Sequence, residues 1–322
     1  MITAALVLSV LTLNIAGPRR IHQGWQTRRA ALTERLKAEK VDAAVFQELW
    51  RGEDLDALAL AAGLKHSVSD LPLGLAAASR YPLENPVRRD LGWGGGALRV
   101  QIRMPGRAAN LYSVRLTPGD DAHAAARRLA QLFDLAEFVR QSTGPFILLG
   151  DLAAPPDDPE IKIFLDLLGA RDLCVAHGDE ACGRTLDDKR VDYALIPYTS
   201  RPPKENARAA FTEAQVDDDE VRPLSAHFGL TARLDASWLK SSIAAEPEGR
   251  LEALGTVADA LDSVRNDIET KANRMGWIPW MGTRRILKLQ TEIARLVAAT
   301  ERARTALALA AKPSAPAGYN YP

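Results

Sequence analysis

Five short apolar segments of this chain each abut a residue that can bind a cation, hold a phosphate or move a proton. Few architectures bring five such junctions together. Leu6–Ile15 carries Asn14 near its end, Ala43–Phe46 runs into Gln47-Glu48, and Phe146–Leu149 runs into Gly150-Asp151. Asp192 opens the segment Asp192–Ile196, and His227 stands just before Phe228–Leu234. Short runs rich in Val, Leu, Ile, Ala and Phe, bounded by Gly, Pro, Asn or Asp, read as strands. Leu75–Ser79, Ala97–Arg103 and Ala109–Leu116 add three more. Helical patterns cover Trp25–Glu39, Asp121–Gln141 and Pro159–Leu168, the last with its proline in the first turn, where a missing N–H costs nothing. Strands and helices interleaved over residues 1–235 imply one layered α/β domain.

The remainder has a different rhythm. From Pro247 to Ala311 strand signals vanish. Leu251, Leu254, Leu261 and Ile268 mark one helical stripe, and Ile286, Leu289, Ile293, Leu296, Thr300, Ala303 and Leu307 mark a second. Alternating steps of three and four keep one face apolar in the manner of a coiled coil. Gly276, Pro279 and Gly282 separate the stripes. The expectation is an antiparallel helical hairpin over residues 236–312 and a disordered tail over 313–322. Trp277 and Trp280 at the hairpin tip suit packing against the α/β domain, a partner, or a membrane interface.

Charge narrows the partners. Lysine plus arginine number 41 and aspartate plus glutamate number 41, so no overall field draws a polyanion, and nonspecific DNA binding has no electrostatic support. Any preference for phosphate must come from a local site. Cys174 and Cys182 have no paired histidines to make a zinc site; free thiols in a cytoplasmic protein are the expectation, with a loop disulfide as the alternative. The apolar start has no basic residue before it and no small-residue cleavage site, so it reads as a buried strand rather than a signal peptide, and no run reaches transmembrane length. Gly92-Trp-Gly-Gly-Gly-Ala97 imitates a dinucleotide fingerprint but precedes a strand rather than a helix. Asp217-Asp-Asp-Glu220 reads as a solvated loop without the ligand rhythm of a calcium site.

Oxygen donors at strand ends suit a hard divalent cation, and phosphoester hydrolysis needs a cation, a base for water, and donors for the transition state. In their order and surroundings, with Ser79-Arg80-Tyr81-Pro82 between the second and third, the five segments resemble the endonuclease/exonuclease/phosphatase superfamily over about residues 6–234. Asp151-Leu-Ala-Ala-Pro-Pro-Asp-Asp-Pro159 is similar to that family's Gly-Asp-x-Asn segment and its proline-rich exit. The resemblance implies a four-layered α/β sandwich, two packed mixed sheets flanked by helices. It further implies a phosphoesterase that uses Mg²⁺ or Mn²⁺ on a lipid, small-molecule or nucleic-acid phosphoester. By resemblance Glu48 is the main metal ligand, with Asp151 and Asn14 beside it, and Asn14 also holds substrate. Asp151 positions or deprotonates the attacking water, Asp192 orients His227, and His227 meets the scissile phosphate or moves a proton.

Three positions depart from the family pattern. Ala153 stands where Gly-Asp-x-Asn has its asparagine, Ala226 stands where Ser-Asp-His has its aspartate, and Arg115 ends a strand that usually ends in histidine. Arginine keeps a positive charge and suits a phosphate clamp, or is a neutral replacement; it cannot shuttle protons near neutral pH. Removing one preorganised donor costs on the order of 100- to 1000-fold in rate. The expectation is a slowed hydrolase or, alternatively, a pseudoenzyme that reuses the fold for binding, with the hairpin docking a partner or membrane.

Overall fold

The computed structural model describes residues 6–18, 23–175, 182–198, 200, 207–212, 214–217 and 220–239, scattered positions from 259 to 270, and 287 and 290–301. Two six-stranded sheets lie face to face. The first has the order β11-β14-β1-β2-β4-β3, built from β1 (Val7–Asn14), β2 (Ala43–Gln47), β3 (His66–Asp70), β4 (Leu75–Ser79), β11 (Ala207–Ala210) and β14 (Gly229–Asp235). The second has the order β5-β6-β7-β8-β10-β9. Its strands are β5 (Leu83–Gly92), β6 (Gly95–Met104), β7 (Arg107–Arg115), β8 (Phe146–Asp151), β9 (Ala170–Asp172) and β10 (Asp192–Pro197). In each sheet one central pair is parallel, β1 with β2 and β7 with β8. Helices α1 (Gln23–Glu39) and α2 (Gly52–Ala61) cover the outer face of the first sheet, and α3 (Ala122–Arg140) and α4 (Pro159–Leu168) cover that of the second. This is the four-layered sandwich that the resemblance implied.

The pleat explains the layers. Side chains alternate faces along a strand, and here both faces are buried. Leu8 and Val10 of β1, Ala43 and Val45 of β2, Ile147 and Leu149 of β8, and Ala194 and Ile196 of β10 share the core between the sheets. The intervening Leu11, Leu13, Ala44 and Phe46 meet α1 and α2, and Phe146, Leu148, Tyr193 and Leu195 meet α3 and α4. Strands buried on both sides read as continuous apolar runs. That is why they stood out in the sequence.

The elements without such runs are the ones the apolar pattern did not reveal. β5 is an edge strand whose residues from Glu84 to Arg88 are exposed, with Pro86 at a bulge, the usual way of blunting a sheet edge. Gly92-Trp93-Gly94 forms the turn between β5 and β6, all three with positive φ, so the glycine run is hairpin chemistry. The solvated loop expected at 217–220 is corrected at its two ends: Asp217 closes β12 (Ala214–Asp217) and Glu220 opens β13 (Glu220–Pro223), and the two residues pair. The free-thiol expectation is also corrected, since Cys174 and Cys182 are joined in a disulfide with Cα atoms 5.6 Å apart. Both are buried in the inter-sheet core.

Helical backbone occurs at described positions between 259 and 270 and runs through 290–301. In this second run Leu296 and Ala299 are fully buried in the core shared with α3 and the second sheet, and Ile293 packs against it. Thr300, the polar member of the stripe, is buried too, and its hydroxyl donates to the Leu296 carbonyl at 2.9 Å. Arg295 lies over the Trp93 ring, 5.6 Å from its centroid. The expected hairpin tip with Trp277 and Trp280, and the tail from 313, lie outside the described residues. Among the described residues no helix is long and apolar enough to cross a membrane.

Candidate active site

The site follows from the pleat. Asn14 continues the inward-facing series Leu8, Val10 and Thr12. Asp151 continues Ile147 and Leu149, Asp192 continues Ala194 and Ile196, and Arg115 continues Ala109, Leu111 and Ser113. Asn14, Asp151 and Arg115 end their strands, and Asp192 begins one that runs antiparallel. All four therefore come to one end of the inter-sheet gap. Register brings them level: Arg115 pairs with Asp151, Asp151 with Asp192, and Asn14 with Gln47. Beneath them Gln47 accepts from the Thr12 hydroxyl at 3.2 Å and reaches the Ser113 hydroxyl at 3.4 Å, tying the sheets together.

Glu48 needs a different device. Strict alternation would send it toward the helices with Ala44 and Phe46. Its φ of 54° puts it in the left-handed region, a conformation that costs a non-glycine residue energy and recurs at functional sites. The redirected carboxylate accepts from the Asn14 amide at 3.4 Å, and the same amide donates to Asp151 at 3.1 Å. The backbone N–H of Ala16 donates to the Asn14 side-chain oxygen at 3.0 Å, which fixes the N–H₂ end toward the carboxylates. Gly17 lies so close that a Cβ there would sit 2.7 Å from the Glu48 carbonyl oxygen.

His227 is held between two aspartates. Nδ1 is 2.9 Å from Asp192 and Nε2 is 3.9 Å from Asp151. Burial pulls the imidazole pKa down, but the Asp192 hydrogen bond and charge, together with Asp151 and Glu48, outweigh it and raise the pKa to about 9. Asp151 is raised as well, which for a carboxylate disfavours the charged form. Burial and the neighbouring Asp192 raise it to about 6, against the pull of His227, the Ala153 N–H and Asn14. The two groups carry complementary protonation states across neutral pH, carboxylate and imidazolium.

The departures have distinct surroundings. Ala153 has φ of 55°, and its N–H donates to Asp151 at 2.8 Å. Asparagine tolerates this left-handed conformation better than alanine. Ala226 is exposed next to His227. Arg115 does not point free into the cleft: Nε and Nη2 both lie 3.2 Å from Glu48 Oε1, and Nη1 donates to the Gly94 carbonyl at 3.1 Å.

Several contributors carried no signal in the sequence reading. The Thr185 hydroxyl accepts from the backbone of Val191 and Asp192 and so seats the start of β10. The Ser225 hydroxyl donates to the Asn14 carbonyl at 2.5 Å. Ser225 could have been found as part of Ser-Ala-His, but Thr185 stands in no motif. A cleft of about 290 Å³ opens above the cluster, rimmed by Pro118, Asp120, Leu186 and Lys189.

Oxygen donors dominate the cluster, which fits a hard divalent cation. Glu48 and Asp151 converge on one amide. Asp192 Oδ1 is buried without a hydrogen-bond partner, an orphaned acceptor that a cation would satisfy. Ligand atoms of Asp151, Asp192 and His227 lie within 4.8 Å of one another.

Known proteins agree with this geometry. The profile of the Endonuclease/Exonuclease/phosphatase family matches residues 11–227. No curated protein sequence matches the chain significantly. Among solved structures, a humanized TDP2 of D. rerio is similar with a TM-score of 0.60 at 18% identity, covering 71% of this chain and 99% of that one. The beta toxin of Staphylococcus aureus is similar with a TM-score of 0.56 at 14% identity, covering 70% and 99%. An endonuclease/exonuclease/phosphatase from Beutenbergia cavernae is similar with a TM-score of 0.57 at 18% identity, covering 74% and 72%. With both sheets, the strand-end polar cluster and the profile match in agreement, this chain belongs to the Endonuclease/Exonuclease/phosphatase family, a family of phosphoester hydrolases.

Proposed function

We propose that the protein is a metal-dependent phosphoester hydrolase whose rate is reduced by Arg115, Ala153 and Ala226. The observation that carries this reading is the Asp151–His227–Asp192 array, a base and an acid held 3.9 Å apart with the acid oriented from behind. Asp151, with a pKa near 6, is ionised at neutral pH yet basic enough to take a proton from water. His227, held as imidazolium, donates toward a phosphoryl or leaving oxygen, and Asp192, 2.9 Å from Nδ1, fixes the orientation of the ring. Glu48 and Asp151 would hold Mg²⁺ or Mn²⁺, and the ion when bound neutralises phosphate charge; Asn14, expected from the resemblance as a further ligand, turns its N–H₂ toward both carboxylates and its oxygen toward the Ala16 N–H, so it would position the ligands instead. A beta toxin of similar fold has been crystallised with bound magnesium ions, which supports this choice.

A second reading is favoured by one observation. The Arg115 guanidinium already engages Glu48, so a protein that binds phosphoesters without turning them over, with the hairpin docking a partner or membrane, fits the same site. Hydrolysis of an aryl phosphodiester with Mg²⁺ or Mn²⁺ separates the two, comparing the parent with the triple variant Arg115→His, Ala153→Asn, Ala226→Asp. A slow, chelator-sensitive parent and a variant faster by about 10³-fold or more are expected. Silence from both would remove the hydrolase reading.

A further inference from the structure

We infer that Arg115 is a built-in counter-cation of Glu48 that competes with the divalent ion, so that metal loading of this site requires the guanidinium to leave. The inference rests on the metal-dependent reading and adds a determinant of metal affinity to it.

Three contacts from three elements hold the side chain. Glu48, just past β2, accepts from Nε at 3.2 Å and lies 3.2 Å from Nη2; Gly94, in the β5–β6 turn, accepts from Nη1 at 3.1 Å; and the Trp50 ring centroid lies 5.8 Å from Cζ. The Gly94 carbonyl is available because positive φ at Gly92, Trp93 and Gly94 curls the turn over the site. The ion pair is sheltered, with Arg115 16% and Glu48 29% exposed, so water screens it incompletely. Glu48 Oε1 accepts from Arg115 Nε and from the Asn14 amide, and Nη2 lies 3.2 Å away as an ion-pair contact, so the oxygen that a metal would need is already engaged. A bound Mg²⁺ sits about 2 Å from its carboxylate oxygens and would bring a double charge against the guanidinium. The neighbourhood is already supplied with cations: Arg28 senses the Glu48 charge and donates to the Ala16 carbonyl at 2.6 Å, and His227 lies on the other side.

Binding of Mn²⁺ to the full chain, followed by the loss of the free-ion signal in electron paramagnetic resonance, tests this without turnover. Arg115→Gln removes the charge and is expected to tighten Mn²⁺ by at least about tenfold, whereas Arg115→Lys, which keeps a cation, stays near the parent. The gain should vanish in Arg115→Gln combined with Glu48→Gln. In the unaltered chain, the Arg115 Nε–H resonance should shift as Mg²⁺ saturates the site, a readout independent of how any variant folds. Unchanged or weaker Mn²⁺ binding in Arg115→Gln overturns the inference, as does a resonance that stays put while Mg²⁺ binds, or the absence of metal binding in every form. A Mn²⁺ gain without hydrolysis by any form removes only the hydrolase reading; hydrolysis without the gain removes only this inference.

Discussion

Replacing Asp192 with asparagine leaves a hydrogen-bond acceptor beside His227 Nδ1 but takes away the charge that holds the imidazole protonated. The His227 pKa of about 9 stands well above the ordinary 6.5, although burial alone would push it below. That gap corresponds to about 3 kcal/mol of differential interaction. With Asp151 and Glu48 as the remaining carboxylates, Asp192→Asn should bring His227 back to about 6.5 or lower. The sign of the stability effect follows. A folded-state pKa raised above the unfolded value gives stability that is full below pH 6.5 and is lost as pH rises through about 9. The variant should therefore lose up to about 3 kcal/mol near neutral pH and match the parent near pH 10. Imidazole resonances of the five histidines, followed by nitrogen–proton correlation spectra in chelator, identify the one that titrates high. If His227 titrates near 6.5 in the parent, or does not move in Asp192→Asn, the argument for an imidazolium held between two carboxylates fails.

Two further outcomes are expected. Ala153→Asn places a residue that tolerates left-handed backbone at φ 55° and should stabilise the protein by about 0.5–1 kcal/mol, raising Tm by about 2 °C; a lower Tm would contradict the strain argument. Leu296→Ala, at a fully buried position against α3, should cost about 2–5 kcal/mol in denaturant unfolding, and a neutral result would mean that the helix over 290–301 does not dock on the sandwich.

How much of this could be read in the amino-acid order depended on burial. Strands sealed on both faces, such as Phe146–Leu149, announce themselves as unbroken apolar runs, and their terminal polar residues then mark the site. β5, with Pro86 and a row of exposed charged residues, and the short strand Ala170–Asp172 gave no such contrast. α2 carries no start signal in the sequence, because Arg51 at its N-cap is not a capping residue and Gly52 opens the helix. At the site, sequence order brought Asn14, Glu48, Asp151, Asp192 and His227 onto one list. What it did not carry was direction: the engagement of Arg115 with Glu48 depends on a turn from another hairpin, and the seating of Asp192 depends on Thr185, which no motif flags.

The alternation that aims Asn14, Asp151 and Asp192 into one gap also separates chemistry from folding. The apolar residues two positions further into each strand, Leu149 for Asp151 and Ala194 for Asp192, already complete the inter-sheet core. The outermost position can then change without loosening the layers below, whereas a one-residue slip in β8 would turn Asp151 toward α3 and α4 and bring its apolar neighbours round with it. Point substitution at the mouth is therefore cheap for the scaffold and costly for catalysis, while insertion or deletion within a strand is costly for both. Ala153 and Ala226 both lie beyond the strand ends, outside the register that the layers depend on.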